Sequence, residues 1–472
     1  MITGLIVCSI AFVWLIWLVL DRRVSLGLPI AYLFGLLLIH VPGALAYMFS
    51  GDHLLHMNET RIGFNYASIA AACFVIGVSL ASKKRGNAGL RILYAESYFQ
   101  YFCLVGGWAF VYILSPLHSI PSVGAVIDEA GALWLLGVML GLREGIARAS
   151  VTKTLFWGSA LMVYPVVMLI LGGFLSYGSA AVIIVASGVL ASARNRAHAF
   201  LGVALVAFFG LSLFVNYFSH RGAIRSEVWG GASLSDRLES VDSMFVNFQL
   251  FDPRDLKQAE SLDVRLNQNY FVGLAAERIE QGQTEYLLGR SVWEAAMALV
   301  PRAIWADKPV AAGSGNIVRD MTGLKLATGT SWGVGNVMEL QINFGLPGVI
   351  LGFLLLGWSI GTLDLRAGAA IVRGDYGRSI LYFLPAVALI QPNGSMVELA
   401  AGSASALVAG YGWNYLWQRW RRHKAPRRIL LSSPAFAKGH GTTTVDAARR
   451  RGGAQGAELR LRRATGAGLQ GE

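Results

Sequence analysis

The stretch Ala197–Arg225, AHAFLGVALVAFFGLSLFVNYFSHRGAIR, decides how the chain is read. Its first nineteen residues, 197–215, carry no Asp, Glu, Lys or Arg. A run of about 18 or more apolar residues reads as a membrane-crossing helix. The run then stops at His220, Arg221 and Arg225, where the sequence turns polar for more than a hundred residues. One boundary thus marks both a membrane span and the entry to a large water-facing region.

Ten further runs resemble it, giving expected spans over 2–20, 26–49, 62–82, 97–117, 122–142, 154–173, 175–193, 197–215, 340–363, 378–392 and 397–417. Composition agrees: 54% of residues are hydrophobic and only 14% charged, against about 25% charged in an average soluble protein. The expected fold class is therefore an all-α polytopic membrane protein of eleven transmembrane helices. Its parts would be helices 1–8 over 1–215, a large helical loop over 216–338, helices 9–11 over 339–420 and a basic tail over 421–472.

Lys and Arg in short loops set orientation, because they are retained on the cytoplasmic side. Arg22 and Arg23, Lys83 to Arg91, Arg143 with Arg148 and Lys153, Arg194 with Arg196, and Arg366 to Arg378 all follow odd-numbered spans, whereas short loops after even-numbered spans hold only Arg61. The expectation is an N-terminus outside and a C-terminus inside. The first run has its charges after it rather than before, which fits a retained helix and not a cleaved signal. Parity places the loop 216–338 outside.

Charge is unevenly spread. The tail from Arg419 holds thirteen Lys/Arg against three Asp/Glu, so it supplies +10 of the net +12. A basic stretch beyond a last span anchors topology and attracts anionic membrane lipid. No nucleic-acid-binding module accompanies it, so nucleic acid is not an expected partner. The tail is Ala/Gly/Arg-rich and expected to be disordered. Cys8, Cys73 and Cys103 all lie in apolar runs, which leaves no disulfide framework or Cys metal site. No Walker loop, dinucleotide fingerprint, His-Glu-x-x-His or Asp-x-Asp signature occurs, so neither a cofactor nor a metal is expected.

The outer loop holds twelve Lys/Arg and fourteen Asp/Glu and reads as helical. Asp252-Pro253-Arg254-Asp255 has the makings of a helix start, and Gly282 of its end. Ser291–Ile304 is too short to span and reads as interfacial or re-entrant. Arginines next to aromatic or small residues stand out: Arg221 and Arg225 where span eight ends, Arg265, and Arg302 with Trp305 and Lys308 in Val300-Pro301-Arg302-Ala303-Ile304-Trp305-Ala306-Asp307-Lys308-Pro309. A guanidinium fork matches phosphate oxygens; the plainer alternative is headgroup anchoring. Thr328 to Leu340 is rich in small residues and puts Glu339 at the entry to span nine. That carboxylate suits a general base or a dipole-complementing helix acid. His220, the loop's only histidine, is the other candidate base or a structural residue. Asp128 and Glu129 inside span five, His40 in span two, and Glu398 near Gln391 and Asn393 are weaker candidates.

On the Val300–Pro309 element, Thr330 to Leu340 and Phe344-Gly345-Leu346-Pro347-Gly348, the sequence resembles the O-antigen and exopolysaccharide repeat-unit polymerases of bacterial inner membranes. The resemblance extends over roughly 20–420 and includes the layout of many spans with one late outer loop. Ala306 stands where family members usually have a residue such as Pro. It implies a metal-independent glycosyltransferase at the periplasmic face, joining lipid-linked oligosaccharides carried on undecaprenyl pyrophosphate. Arg221, Arg225, Arg265 and Arg302 would hold pyrophosphate, and Glu339 or His220 would take the acceptor proton. Flippase and chain-length regulator proteins would be its partners. A glycan ligase of like architecture, a transporter or flippase of lipid-linked sugars, and a non-catalytic envelope scaffold stay open as alternatives.

Overall fold

The first span already shows how this chain folds. Helix α1 (Ile2–Asp21) buries Gly4, Cys8, Ala11, Leu15 and Val19 at three- and four-residue intervals. Its other face leaves Ile6, Ile10, Trp14 and Trp17 outside. A face of large apolar residues turned outward and small residues turned inward is the pattern of a helix packed in lipid. The computed structural model describes the whole chain except 23, 51–54, 82–94, 121, 174, 194–195, 253, 301–304, 306–312, 326–331 and 425–472. Among the described residues there is no strand. Arg302, Lys308 and the basic tail lie outside them.

The helices that follow are α2 (Leu28–Ser50), α3 (Met57–Leu80), α4 (Ser97–Leu114), α5 (Val123–Gly131), α6 (Leu133–Ala147), α7 (Val151–Val167), α8 (Ser176–Ala191) and α9 (Arg196–Trp229). Next come α10 (Leu234–Val246), α11 (Leu256–Arg265), α12 (Gln268–Glu280), α13 (Arg290–Ala298) and α14 (Ser314–Thr322), then α15 (Asn336–Val372), α16 (Tyr376–Ala388) and α17 (Met396–Lys424). Among the described residues eight helices are long and apolar enough to cross a membrane: α1, α2, α3, α4, α5 with α6, α7, α9 and α15. The chain is a multi-pass membrane protein.

Three expected spans take a different form. Residues 175–193 form the 16-residue α8, and 378–392 become the 13-residue α16. At 1.5 Å per residue, α16 is about 20 Å long, short of a hydrocarbon core of about 30 Å. Residues 397–417 lie in α17, which is long but rich in Gly, Ser and polar positions. Span eight departs in the opposite direction. Its helix does not stop at 215 but continues to Trp229, because the helix outlasts the hydrophobic run. His220, Arg221 and Arg225 therefore stand on a continuous helix and not in a loop. Arg143, expected in the loop after span five, is inside α6 and fully buried.

Helix α3 is the central post, with α15 along one side and α12 along another. The backbones meet at paired glycines. A Cβ on Gly77 would collide with the Leu354 carbonyl, and one on Gly357 with that of Phe74; Gly63 meets Asn269 and Gly273 meets Glu59 in the same way. Small residues permit this approach. The second pair matters most here, because it binds part of the 216–338 region to the bundle. That region is not set apart: Met1–His423 forms one compact unit.

Two ends of the bundle can be told apart by their hydrogen bonds. At one, Arg22 donates to the carbonyls of Val78 and Ser79 at 3.0 and 3.2 Å, joining the last turns of α1 and α3. At the same end Asp364, late in α15, accepts from the Ser25 hydroxyl at 2.6 Å and from the Leu26 and Leu28 N–H groups at 3.0 and 3.2 Å. Arg143 donates through Nε to the Gly188 carbonyl at 2.7 Å and through Nη2 to that of Ser25 at 3.2 Å. The other end holds the starts of α3, α15 and α17 together with α11 and α12.

Candidate functional site

Helices α11 and α12 are held at this second end by a chain of buried polar groups. Asp255, not Asp252, caps α11, accepting from the Lys257 and Gln258 N–H groups. Asp252 instead accepts from the Arg254 N–H just before it. The helix expected to run on to Gln281 breaks at Leu266-Asn267, and Gly282 ends it with φ 71°, as expected. The break frees Asn267 and Asn269 for the bundle. Asn267 donates to Thr60 Oγ1 at 2.9 Å and to Asp263 at 2.6 Å. Asn269 donates to the His40 carbonyl and its Oδ1 meets His40 Nδ1, both at 2.7 Å. His40 is thus a structural tether for α12. Asp263 also accepts from Tyr47 at 3.2 Å. Burial raises its pKa above the ordinary carboxylate value, and the bonds from Asn267 and Tyr47 oppose that rise.

The break also leaves Arg265 at the end of α11. Its guanidinium lies over the Trp332 ring, 4.9 Å from the centroid, a cation–π contact. Trp332 meets Phe271 edge-on at 4.8 Å. Arg221 and Arg225, one turn apart on α9, are close enough to Arg265 to repel it electrostatically. Burial lowers the Arg265 pKa first, and the two neighbouring cations add to the effect. Arg225 donates to the Gly173 carbonyl at 3.3 Å, where the Tyr217 hydroxyl also donates. Among the described residues no carboxylate pairs with Arg221 or Arg265, and Arg265 Nε is buried without a hydrogen-bond partner. Three of the arginines singled out in the sequence therefore converge. Trp305 is half-exposed.

Glu339 belongs to a second cluster at the same end. Helix α15 is two helices joined at Gly345, whose φ of 62° and ψ of −148° break the winding before Pro347. A side chain is disfavoured at such a φ, so glycine is required there. The short segment ahead of the break carries Asn336, Glu339 and Asn343 on one face, all buried. Asn336 donates to the Gly394 carbonyl at 2.8 Å and accepts from Tyr32 at 2.7 Å. Asn343 donates to Ser291 Oγ at 2.8 Å and accepts from the Gly289 N–H at 3.0 Å. Between these two anchors Glu339 Oε2 accepts from the Met396 N–H at 2.7 Å. Its Oε1 has no partner that meets full hydrogen-bond geometry, and the Ser291 hydroxyl stands near it as a potential donor. Sequence reasoning missed the two asparagines. Their signal was their spacing from Glu339 in an otherwise apolar helix.

The two clusters share one turn. Gln268, three residues after Arg265, donates to Asn393 Oδ1 at 2.6 Å and to the Gly333 carbonyl at 3.4 Å. That carbonyl is next to Trp332, and the 391–396 turn carries the N–H that holds Glu339. Gln391 and Glu398 both close over Gly394, and Glu129 and Gln391 over Gly402. Glu398 is close enough to Glu339 to act on it electrostatically. Asp128, exposed, lies 3.6 Å from His118. His220 Nδ1 is occupied by its own helix, 2.9 Å from the Asn216 carbonyl and from Ser219 Oγ. Among the described residues no group of His, Cys, Asp and Glu has the arrangement of a metal site.

The site thus offers a cluster of guanidiniums, suited to an anion with several oxygens, beside a sheltered carboxylate suited to accepting a proton. Compared with protein-family models, curated proteins and solved structures, the chain matches none.

Proposed function

We propose that the protein is a glycosyltransferase of the bacterial cytoplasmic membrane that joins lipid-linked oligosaccharide repeat units into O-antigen or exopolysaccharide at the periplasmic face. The observation that carries this reading is the gathering of Arg221 and Arg225 beside Arg265, with no carboxylate paired to Arg221 or Arg265 among the described residues. Guanidiniums gathered against their own repulsion are stabilised when a polyanion arrives, and a lipid-linked pyrophosphate supplies one at the bundle's end. Cations placed where negative charge develops speed the departure of the leaving group.

In the reaction, the acceptor hydroxyl oxygen forms a bond to the anomeric carbon of the donor glycan. The bond from that carbon to the pyrophosphate oxygen breaks, and its electron pair leaves on undecaprenyl pyrophosphate held by the three arginines. The hydroxyl proton goes to Glu339. Glu339 is preferred over His220 because its carboxylate is buried and held by the 391–396 turn that joins the two clusters.

Eleven crossings with the N-terminus outside accompany this reading. It is supported by the placement of one end of each of two shorter or more polar helices: Gly188 of α8 meets Arg143 at one end of the bundle, and Met396 of α17 meets Glu339 at the other. Flippase and chain-length proteins are the expected partners. Deleting the gene tests the function. Lipid-linked glycans of a single repeat unit should accumulate; accumulation of long lipid-linked polymer would mark a ligase instead, and an unchanged glycan pool would reject both.

A further inference from the structure

A base buried as Glu339 is must lose each proton it takes, and the structure indicates how. Glu339 is fully buried. Its Oε2 hangs from the Met396 N–H at 2.7 Å, while Oε2 of Glu398 hangs from the preceding N–H, that of Ser395, at 2.8 Å. Adjacent residues are about 3.8 Å apart, so two carboxylates on consecutive N–H groups are neighbours, and Glu398 acts electrostatically on Glu339. The two differ in surroundings. Glu339 Oε1 is buried and unpartnered. Glu398 is exposed, and among the described residues its Oε1 meets the Ser314 hydroxyl, at 3.5 Å.

The third charge facing Glu339 is Glu294 of α13. It is engaged with Arg290 at 3.3 Å, which ties up its capacity to accept a proton. Among the described residues Glu398 has no cationic partner. We propose that Glu398 is the exit for the catalytic proton: the carboxyl group formed at Glu339 gives its proton to the Glu398 carboxylate, which releases it to water. Glu339 returns to its charged form and Glu398 does the same one step later, so no net charge remains in the site. Glu398 is in this sense a positioning and relay residue that touches neither sugar. The inference rests on Glu339 being the base in the reaction above.

Glu398→Gln is a discriminating variant because a glutamine oxygen can still accept from the Ser395 N–H while the side chain can no longer take a proton. The full chain in proteoliposomes is given the lipid-linked glycan extracted from deletion cells. The expected result is a fall in kcat of about a hundredfold, the low end for a lost proton-transfer group, with KM unchanged. Added formate, a small proton carrier, should restore part of the rate, and Glu398→Asp should keep most of it. A Glu398→Gln enzyme with unaltered kcat overturns the relay, as does a loss that formate leaves untouched. Glu339→Gln separates the two ideas: a near-normal rate there removes the base itself, whereas an inactive Glu339→Gln beside a normal Glu398→Gln removes only the relay.

Discussion

The two ends of the bundle handle buried charge in opposite ways. Around Arg143 and Asp364 opposite charges are matched: the carboxylate accepts three donors and the guanidinium reaches two carbonyls, leaving only Nη1 without a partner. Four separate elements, the α1–α2 turn, α6, α8 and α15, are tied at this point. Around Arg265 like charges are gathered, and the unpartnered atoms Arg265 Nε, Gln268 Oε1 and Glu339 Oε1 all lie nearby in the fold. A cluster that only had to stabilise the protein would be completed but for an atom, as the first is. Buried groups left incomplete cost stability and are retained where a ligand completes them. The first end is a fastening and the second a site.

The contrast breaks most visibly at the fastening. Asp364→Ala removes the acceptor of three hydrogen bonds and the negative charge that offsets buried Arg143, and leaving a buried charge without its counter-charge costs about 3–5 kcal/mol. Purified Asp364→Ala should melt far below the unmodified protein or fail to accumulate in the membrane. Replacing both residues with Leu and Met should recover much of the loss, because no lone charge is then buried. Equal damage in the single and double variants would mean that the pair is not what fastens this end.

At the other end the outcome should reverse. Arg265→Ala removes a cation that its neighbours repel, so the melting temperature should stay nearly level while transfer activity falls by about 10²-fold or more. Arg265→Lys should rescue little of it, since an ammonium neither spans two phosphate oxygens nor stacks on Trp332 as a guanidinium does. Measuring melting and polymer length on the same preparation checks both halves. An active Arg265→Ala would remove Arg265 from the site, and a large drop in melting temperature would turn it into a second fastening.

How far each end could be read in advance follows from what holds it. Arg221, Arg225 and Glu339 were legible because each sits where a hydrophobic run meets a polar one, and membrane edges are visible as changes in composition. Their convergence with Arg265 was not legible, because it depends on α12 lying along α3 at Gly63 and Gly273, residues about two hundred positions apart. Asp364 meets Ser25 across a gap of 339 positions, so nothing local distinguishes it from a loop acid. Arg143 was misplaced for a related reason. A charge near the end of an apolar run reads as the start of a loop, although a buried acceptor can hold it inside the helix. The continuation of α9 past 215 was hidden because hydropathy reports lipid contact and not winding.

The smallest effect belongs to a tether within the second end, where Asp263 joins α11 to α2 through Tyr47. Burial raises its pKa above the unfolded value of 3.8. The folded protein therefore holds a proton that the unfolded chain has already lost, and stability must fall as pH rises from the unfolded pKa through the folded one. A carboxylate stabilised by its folded partners would give the opposite slope. In Asp263→Asn this contribution to the slope should vanish, because position 263 no longer titrates, and an amide oxygen still accepts from Asn267 or Tyr47. Melting temperatures of the two proteins, followed in parallel from acidic to neutral pH, should therefore converge at one end and separate at the other. The unmodified protein should lose ground with rising pH. If it gains ground instead, the bonds from Asn267 and Tyr47 outweigh burial, and this tether resembles the matched charges at Asp364 more than the strained ones at Arg265.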